Sequence, residues 1–230
     1  MMATLNPNDE VIIPAPYWVS YPDIVLLAGG KPVIVECSEE ENFKISPKKL
    51  ESAITEKTKW LMLNSPSNPT GSCYTEPEIN SLANILNKQK HVHILSDDIY
   101  EHIIYENFKF FTIAQIKELK DRTLTMNGVS KSYAMTGWRI GYAGGPKDLI
   151  KAMAKIQSQS TTNPSSVSQA AAVEALNGKQ DFIVERLKSF QQRRDFILNE
   201  LKSIKGISCL KPEGAFYVFP SCSNLLGKKD

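Results

Sequence analysis

The amino-acid sequence predicts an α/β fold in which helices flank a mostly parallel sheet, followed by a shorter, truncated α+β part. Three observations carry this. Short apolar runs alternate with helical patterns through the first two thirds of the 230-residue chain, as they do in βαβ units. Thr75-Glu76-Pro77-Glu78 supplies a threonine cap, an early-turn proline and a glutamate three residues after the cap, which opens a helix running to Lys88. Beyond Pro146 the apolar spacing turns helical and stays so to about Ile204.

In chain order, the first strand is read over 10–13 (Glu-Val-Ile-Ile) and the second over 32–35 (Pro-Val-Ile-Val). The third falls at 59–63 (Lys-Trp-Leu-Met-Leu) and the fourth at 92–95 (Val-His-Ile-Leu). The fifth and sixth are read over 123–127 and 139–143. Helices are expected between them, then over 147–157, 166–176 and 181 to about 204, the last long enough to leave one domain and enter another. After Gly206 two further strands are read, 207–210 and 215–219. The chain therefore divides into a large domain, 1–180, and a linking helix with a partial small domain, 181–230.

A net charge of +2, with 27 basic residues interleaved among 25 acidic ones, argues against nucleic acid as a partner. Cys37, Cys73, Cys209 and Cys222 show no C-x-x-C spacing, so neither a zinc site nor a disulfide scaffold is indicated, and a reducing cytoplasm is the simplest compartment. Residues 1–10 lack a basic start followed by an apolar run, and no stretch of about 18 apolar residues occurs, so neither export nor a membrane span is expected. His91 and His93 are expected on one face of a strand with no third ligand near, so no metal site is assigned.

Four segments could carry chemistry. Gly128-Val129-Ser130-Lys131-Ser132-Tyr133-Ala134-Met135-Thr136-Gly137-Trp138-Arg139 spaces one lysine and one arginine by eight residues. A lysine amine condenses with an aldehyde to a Schiff base, and a guanidinium forks onto phosphate oxygens. Asn64-Ser65-Pro66-Ser67-Asn68-Pro69-Thr70-Gly71 follows a strand, where open α/β sheets place ligands, though its residues equally serve a turn. Ser96-Asp97-Asp98-Ile99-Tyr100 also follows a strand, and its acids suit a magnesium site, a helix cap or a partner for a buried cation. Trp18 follows the first strand in Pro14-Ala15-Pro16-Tyr17-Trp18, where core packing is the ordinary use of a tryptophan.

Together and in this order, these segments resemble the signatures of the fold-type I pyridoxal-phosphate aminotransferases, and the wording of 12–22 and 134–144 is nearest to bacterial aspartate aminotransferases. The resemblance runs from Asn6 to Tyr217. It implies pyridoxal 5'-phosphate bound to Lys131, with Asp97 against the ring nitrogen and Asn68 and Tyr100 on the ring oxygen. It also implies Ser130 and Arg139 on the phosphate, and Trp18 on the ring face, with Tyr17 the neighbour most easily confused with it. The Asn68–Pro69 bond is expected to be cis. Pro212-Glu213-Gly214-Ala215-Phe216-Tyr217 resembles the small-domain strand near the substrate entrance, and Thr162-Asn163-Pro164 a stretch at the dimer interface.

The activity so implied is transamination between aspartate and 2-oxoglutarate, in a homodimer. Aromatic transamination and carbon–sulfur β-elimination share Lys131 and Asp97 and stay open at this point. Family members extend beyond both ends of this sequence. Their front carries a glycine-containing phosphate loop and a tyrosine donated to the partner subunit, and their end carries the arginine that holds the substrate's α-carboxylate. Arg193 and Arg194 do not replace that arginine and read as solvated. A non-catalytic remnant is the corresponding alternative to an enzyme.

Overall fold

The computed structural model describes residues 1–106 and 108–227. Six strands form one sheet: β1 (Glu10–Ala15), β2 (Lys31–Glu36), β3 (Thr58–Asn64), β4 (His93–Asp97), β5 (Thr123–Gly128) and β6 (Gly141–Gly144). Their spatial order is β2-β1-β3-β4-β5-β6, with β1 to β5 parallel and β6 antiparallel to β5. The order reverses between β1 and β3, so the carboxyl ends of those strands flank the crevice where such sheets take ligands.

The central strands are continuous apolar runs because both faces of the sheet are covered. Ile12, Leu61, Leu63 and Ile94 face one layer, packing with Leu50 of α2 (Pro47–Ala53) and with Leu82 and Leu86 of α3 (Glu76–Lys88). The alternate residues Val11, Ile13, Trp60, Met62 and Leu95 face the other layer, with Tyr21 and Val25 of α1 (Ser20–Leu27) and with Leu149 and Met153 of α4 (Lys147–Ser158). The predicted start of α3 is present as read: the Thr75 amide donates to the Glu78 carboxylate at 2.7 Å. Two more helices follow, α5 (Ser166–Asn177) and α6 (Asp181–Ser203).

Four expectations need correction. The sixth strand starts at Gly141, because Arg139 takes a left-handed φ of 52° at the end of a 3₁₀ turn over Thr136–Trp138. The segments 207–210 and 215–219 do not form strands. A strand needs a ladder, and among the described residues this region makes only the isolated bridges Ser208 to Ser221 and Ile104 to Gly214. His91 lies before β4, its ring against the Thr55 carbonyl, while His93 alone is on the strand and packs against Trp60.

Arg194, read as solvated, is buried. Its guanidinium forks onto Glu106 at 2.6 and 3.2 Å, donates to the Pro212 carbonyl at 3.0 Å and lies 4.4 Å from the Tyr105 ring centre. That guanidinium holds the Glu106 carboxyl down at about 2. The domain expected over 181–230 reaches past the described residues at 228–230. No described helix is long and apolar enough to cross a membrane.

Candidate active site

The carboxyl ends of β1, β3, β4 and β5 surround a cavity of about 200 Å³ lined by Trp18, Tyr21, Asn64, Asn68, Asp97, Ile99, Tyr100, Met126, Asn127 and Lys131. Five residues singled out from the sequence thus meet at one place: Trp18, Asn68, Asp97, Tyr100 and Lys131. Each lies at or within four residues of a strand's end, which is why segments far apart in sequence converge.

The floor is built by backbone and amide contacts. Asn64 at the end of β3 donates from Nδ2 to the Asp97 carbonyl at 2.9 Å and accepts the Asn68 amide at 2.7 Å, which ties the two strand-end loops together. Three peptide bonds around the cavity are cis, Ala15–Pro16, Ser65–Pro66 and the expected Asn68–Pro69.

Asp97 is buried, and its carboxyl sits above the usual range because desolvation outweighs its hydrogen bonds. The Tyr21 hydroxyl donates to Oδ2 at 2.6 Å and the Ile99 amide to Oδ1 at 3.3 Å. Neither donor carries charge, and Asp97 has no ion pair among the described residues. Burial pushes the Tyr21 and Tyr100 hydroxyls well up, so both stay protonated, and Tyr21 is the donor to Asp97. Tyr100 also has the Tyr217 hydroxyl at 2.6 Å.

Lys131 opens a compact turn, with Ala134 N–H on its carbonyl at 3.0 Å and Met135 N–H on that of Val129 at 3.2 Å. Its Nζ lies 5.9 Å from the centre of the Tyr100 ring and 5.8 Å from that of Phe216, and makes no ion pair among the described residues. A buried carboxylate and an unpaired amine therefore share one cavity. The neighbouring Gly128 keeps its tight place because a Cβ there would stand 3.0 Å from Ile99 Cδ1 and 3.2 Å from the Ile140 carbonyl.

Ser130 and Arg139 are not among the cavity-lining residues. Arg139 is exposed and donates to the Thr136 carbonyl at 2.8 Å, and the Ser130 carbonyl accepts from the Thr136 hydroxyl at 2.9 Å. Tyr17 packs into the apolar layer beside α1, so of the two neighbours Trp18 is the one at the cavity. Sequence reading gave no site role to Tyr21, Asn64, Ile99, Met126 and Asn127. Asn64 stood inside a segment already singled out, whereas a tyrosine on the buried face of α1 carried no sign of its carboxylate partner.

The model of the family described as aminotransferase class I and II matches residues 1–229. An aspartate aminotransferase of Rhizobium meliloti (strain 1021) is 58% identical over 229 residues, covering 99% of this chain and 56% of that relative. An aspartate/prephenate aminotransferase of Cereibacter sphaeroides is also 58% identical, covering 99% of this chain and 57% of the relative. The crystal structure of the Rhizobium meliloti aspartate aminotransferase superposes with a TM-score of 0.97 at 58% identity, over 98% of this chain and 57% of that one. The chain thus spans a little over half the length of these relatives. With its sheet order, its strand-end cavity and these matches in agreement, the chain belongs to the class I and II aminotransferases.

Proposed function

We propose that this chain is the cofactor-binding portion of a transaminase that exchanges the amino group between aspartate and 2-oxoglutarate. The observation that carries the reading is the meeting of Lys131 and buried Asp97 in one cavity, neither holding an ion pair among the described residues. Pyridoxal phosphate is the cofactor of the family, and the residues present suit it. The Asp97 carboxylate takes hydrogen bonds only from neutral donors and feels Lys131 across the cavity, and a protonated ring nitrogen would give it a cation in direct contact.

In this reading Asp97 holds the ring nitrogen's proton, and Asn68 and Tyr100 donate to the ring oxygen. Trp18 covers a ring face, and Ser130 and Arg139 take the phosphate. When bound, the cofactor supplies an aldehyde and an electron-withdrawing ring that makes a substrate's α-proton removable. Lys131 would be the base for that proton, holding it at Nζ, as a single general base can. Tyr21 and the Ile99 amide fix the Asp97 carboxylate so that its charge meets the ring nitrogen without reorganisation.

Residues 1–180 are the cofactor-binding domain in this reading, 181–230 the linking helix and part of a small domain. A second copy is the partner, and the cytoplasm the compartment. The test is to add pyridoxal phosphate to the 230-residue chain and follow its absorption. A band present in the chain and absent from Lys131→Ala supports the reading, as does oxaloacetate formed from aspartate. A band that survives the substitution, or none in the unaltered chain, refutes it.

A further inference from the structure

The geometry points to Tyr217 as a positioning residue that orients the Tyr100 hydroxyl proton toward the cavity, an inference that rests on the proposed role of Tyr100 as donor to the cofactor's ring oxygen. The two hydroxyl oxygens are 2.6 Å apart and the rings meet edge to face, 5.7 Å between centres at 82°. Tyr217 lies outside residues 1–180. It is therefore a contribution of the later part of the chain to a site otherwise built at the ends of the sheet.

Its placement is imposed by backbone on both sides of the contact. The turn that carries it is fastened by Gly214 N–H to the Gly71 carbonyl at 2.9 Å and by Ala215 N–H to the Ile103 carbonyl at 2.8 Å. Tyr105 N–H donates to the Glu213 carbonyl at 2.9 Å, and the Tyr105 hydroxyl donates to the Ala215 carbonyl. The Glu213 carboxylate accepts the Cys73 amide at 3.2 Å. Tyr217 is thus set against Tyr100 by the same contacts that seat the turn on the loop bearing Asn68.

Hydroxyl bookkeeping gives the direction. Each phenol has one proton to donate and lone pairs to accept with. Either hydroxyl can donate across the 2.6 Å contact, and a Tyr100 that donates into the cavity leaves that part to Tyr217. Accepting that bond polarises the Tyr100 hydroxyl and strengthens its own donation. Tyr217 is not among the cavity-lining residues and acts through Tyr100.

The experiment follows the pH midpoint of the absorption of the pyridoxal-phosphate-loaded chain in the unaltered protein, Tyr217→Phe, Tyr100→Phe and the double variant. A weaker donor on the ring oxygen raises the midpoint. Tyr217→Phe, which keeps the ring, is expected to raise it by about 0.5 pH unit, the scale of one net hydrogen bond. Tyr100→Phe is expected to raise it further, and the double variant to match Tyr100→Phe alone. A Tyr217→Phe midpoint equal to that of the unaltered chain, or a double variant whose shifts add, would overturn the inference. If the unaltered chain shows no Lys131-dependent band, the functional reading fails. The tyrosine pair is then decided by urea unfolding of the four cofactor-free chains, where additive losses overturn the coupling and non-additive losses uphold it.

Discussion

Asp98 offers a prediction whose size can be worked from the structure. It follows Asp97 but is 2% exposed, and the donors to its carboxylate are neutral, the Ser96 hydroxyl at 2.7 Å with the Thr112 hydroxyl beside it. Burial pushes its carboxyl from 3.8 up to about 6, and the nearby Glu101 and Asp97 push the same way. The folded chain therefore binds more protons than the unfolded chain between those values, and stability falls as pH rises through that window. At roughly 1.4 kcal/mol per pH unit, the ionised Asp98 costs at most about 3 kcal/mol at neutral pH. Asn at this position keeps an oxygen for Ser96 and removes the charge. Urea unfolding of Asp98→Asn and the unaltered chain between about pH 4 and pH 8 should show the variant gaining at the alkaline end, with a midpoint about 1 M higher. The two curves should converge below about pH 4, where Asp98 is protonated in both folded and unfolded chains. A variant less stable at pH 8, or a gap that does not change with pH, would refute the reasoning.

Two further outcomes follow from the site. Tyr21→Phe removes a 2.6 Å donor from a buried carboxylate and should cost about 1.5–3 kcal/mol of stability at neutral pH, read by urea unfolding of the cofactor-free chain; a loss within error of zero would show that the bond contributes nothing. Arg139→Ala should weaken pyridoxal phosphate binding about 10- to 100-fold in an absorption titration, the worth of a charge-assisted phosphate contact. Unchanged affinity would remove Arg139 from the phosphate role.

What could be read from sequence follows from how local each cause is. β1 and β3 stood out as apolar runs because both faces of the sheet are covered at its centre. Trp18, Asn68, Asp97, Tyr100 and Lys131 could be picked out because each sits at or just beyond a strand end in a short segment of recognisable wording. The start of β6 could not, since nothing in an arginine announces a left-handed backbone. Tyr21 acquires its role from a carboxylate 76 residues away, and Arg194 is drawn inward by Glu106, 88 residues away. Within Gln191-Gln192-Arg193-Arg194-Asp195 the buried arginine has the same local surroundings as its exposed neighbour, so only the tertiary partner distinguishes them.

The seam between the Asn68 loop and the turn before Tyr217 holds two glycines in direct opposition. A Cβ on Gly71 would stand 2.5 Å from Pro212 Cβ and 2.8 Å from the Gly214 carbonyl, and one on Gly214 would stand 2.6 Å from Pro66 Cγ. Gly71 also has a φ of 69°, which side chains rarely tolerate. For protein engineering the two loops are consequently a single exchangeable cassette. A graft that imports residues 65–73 from a homologue without its own 212–215 places foreign atoms where there is no room for them, and a library that randomises one loop alone samples mostly sequences that the other forbids.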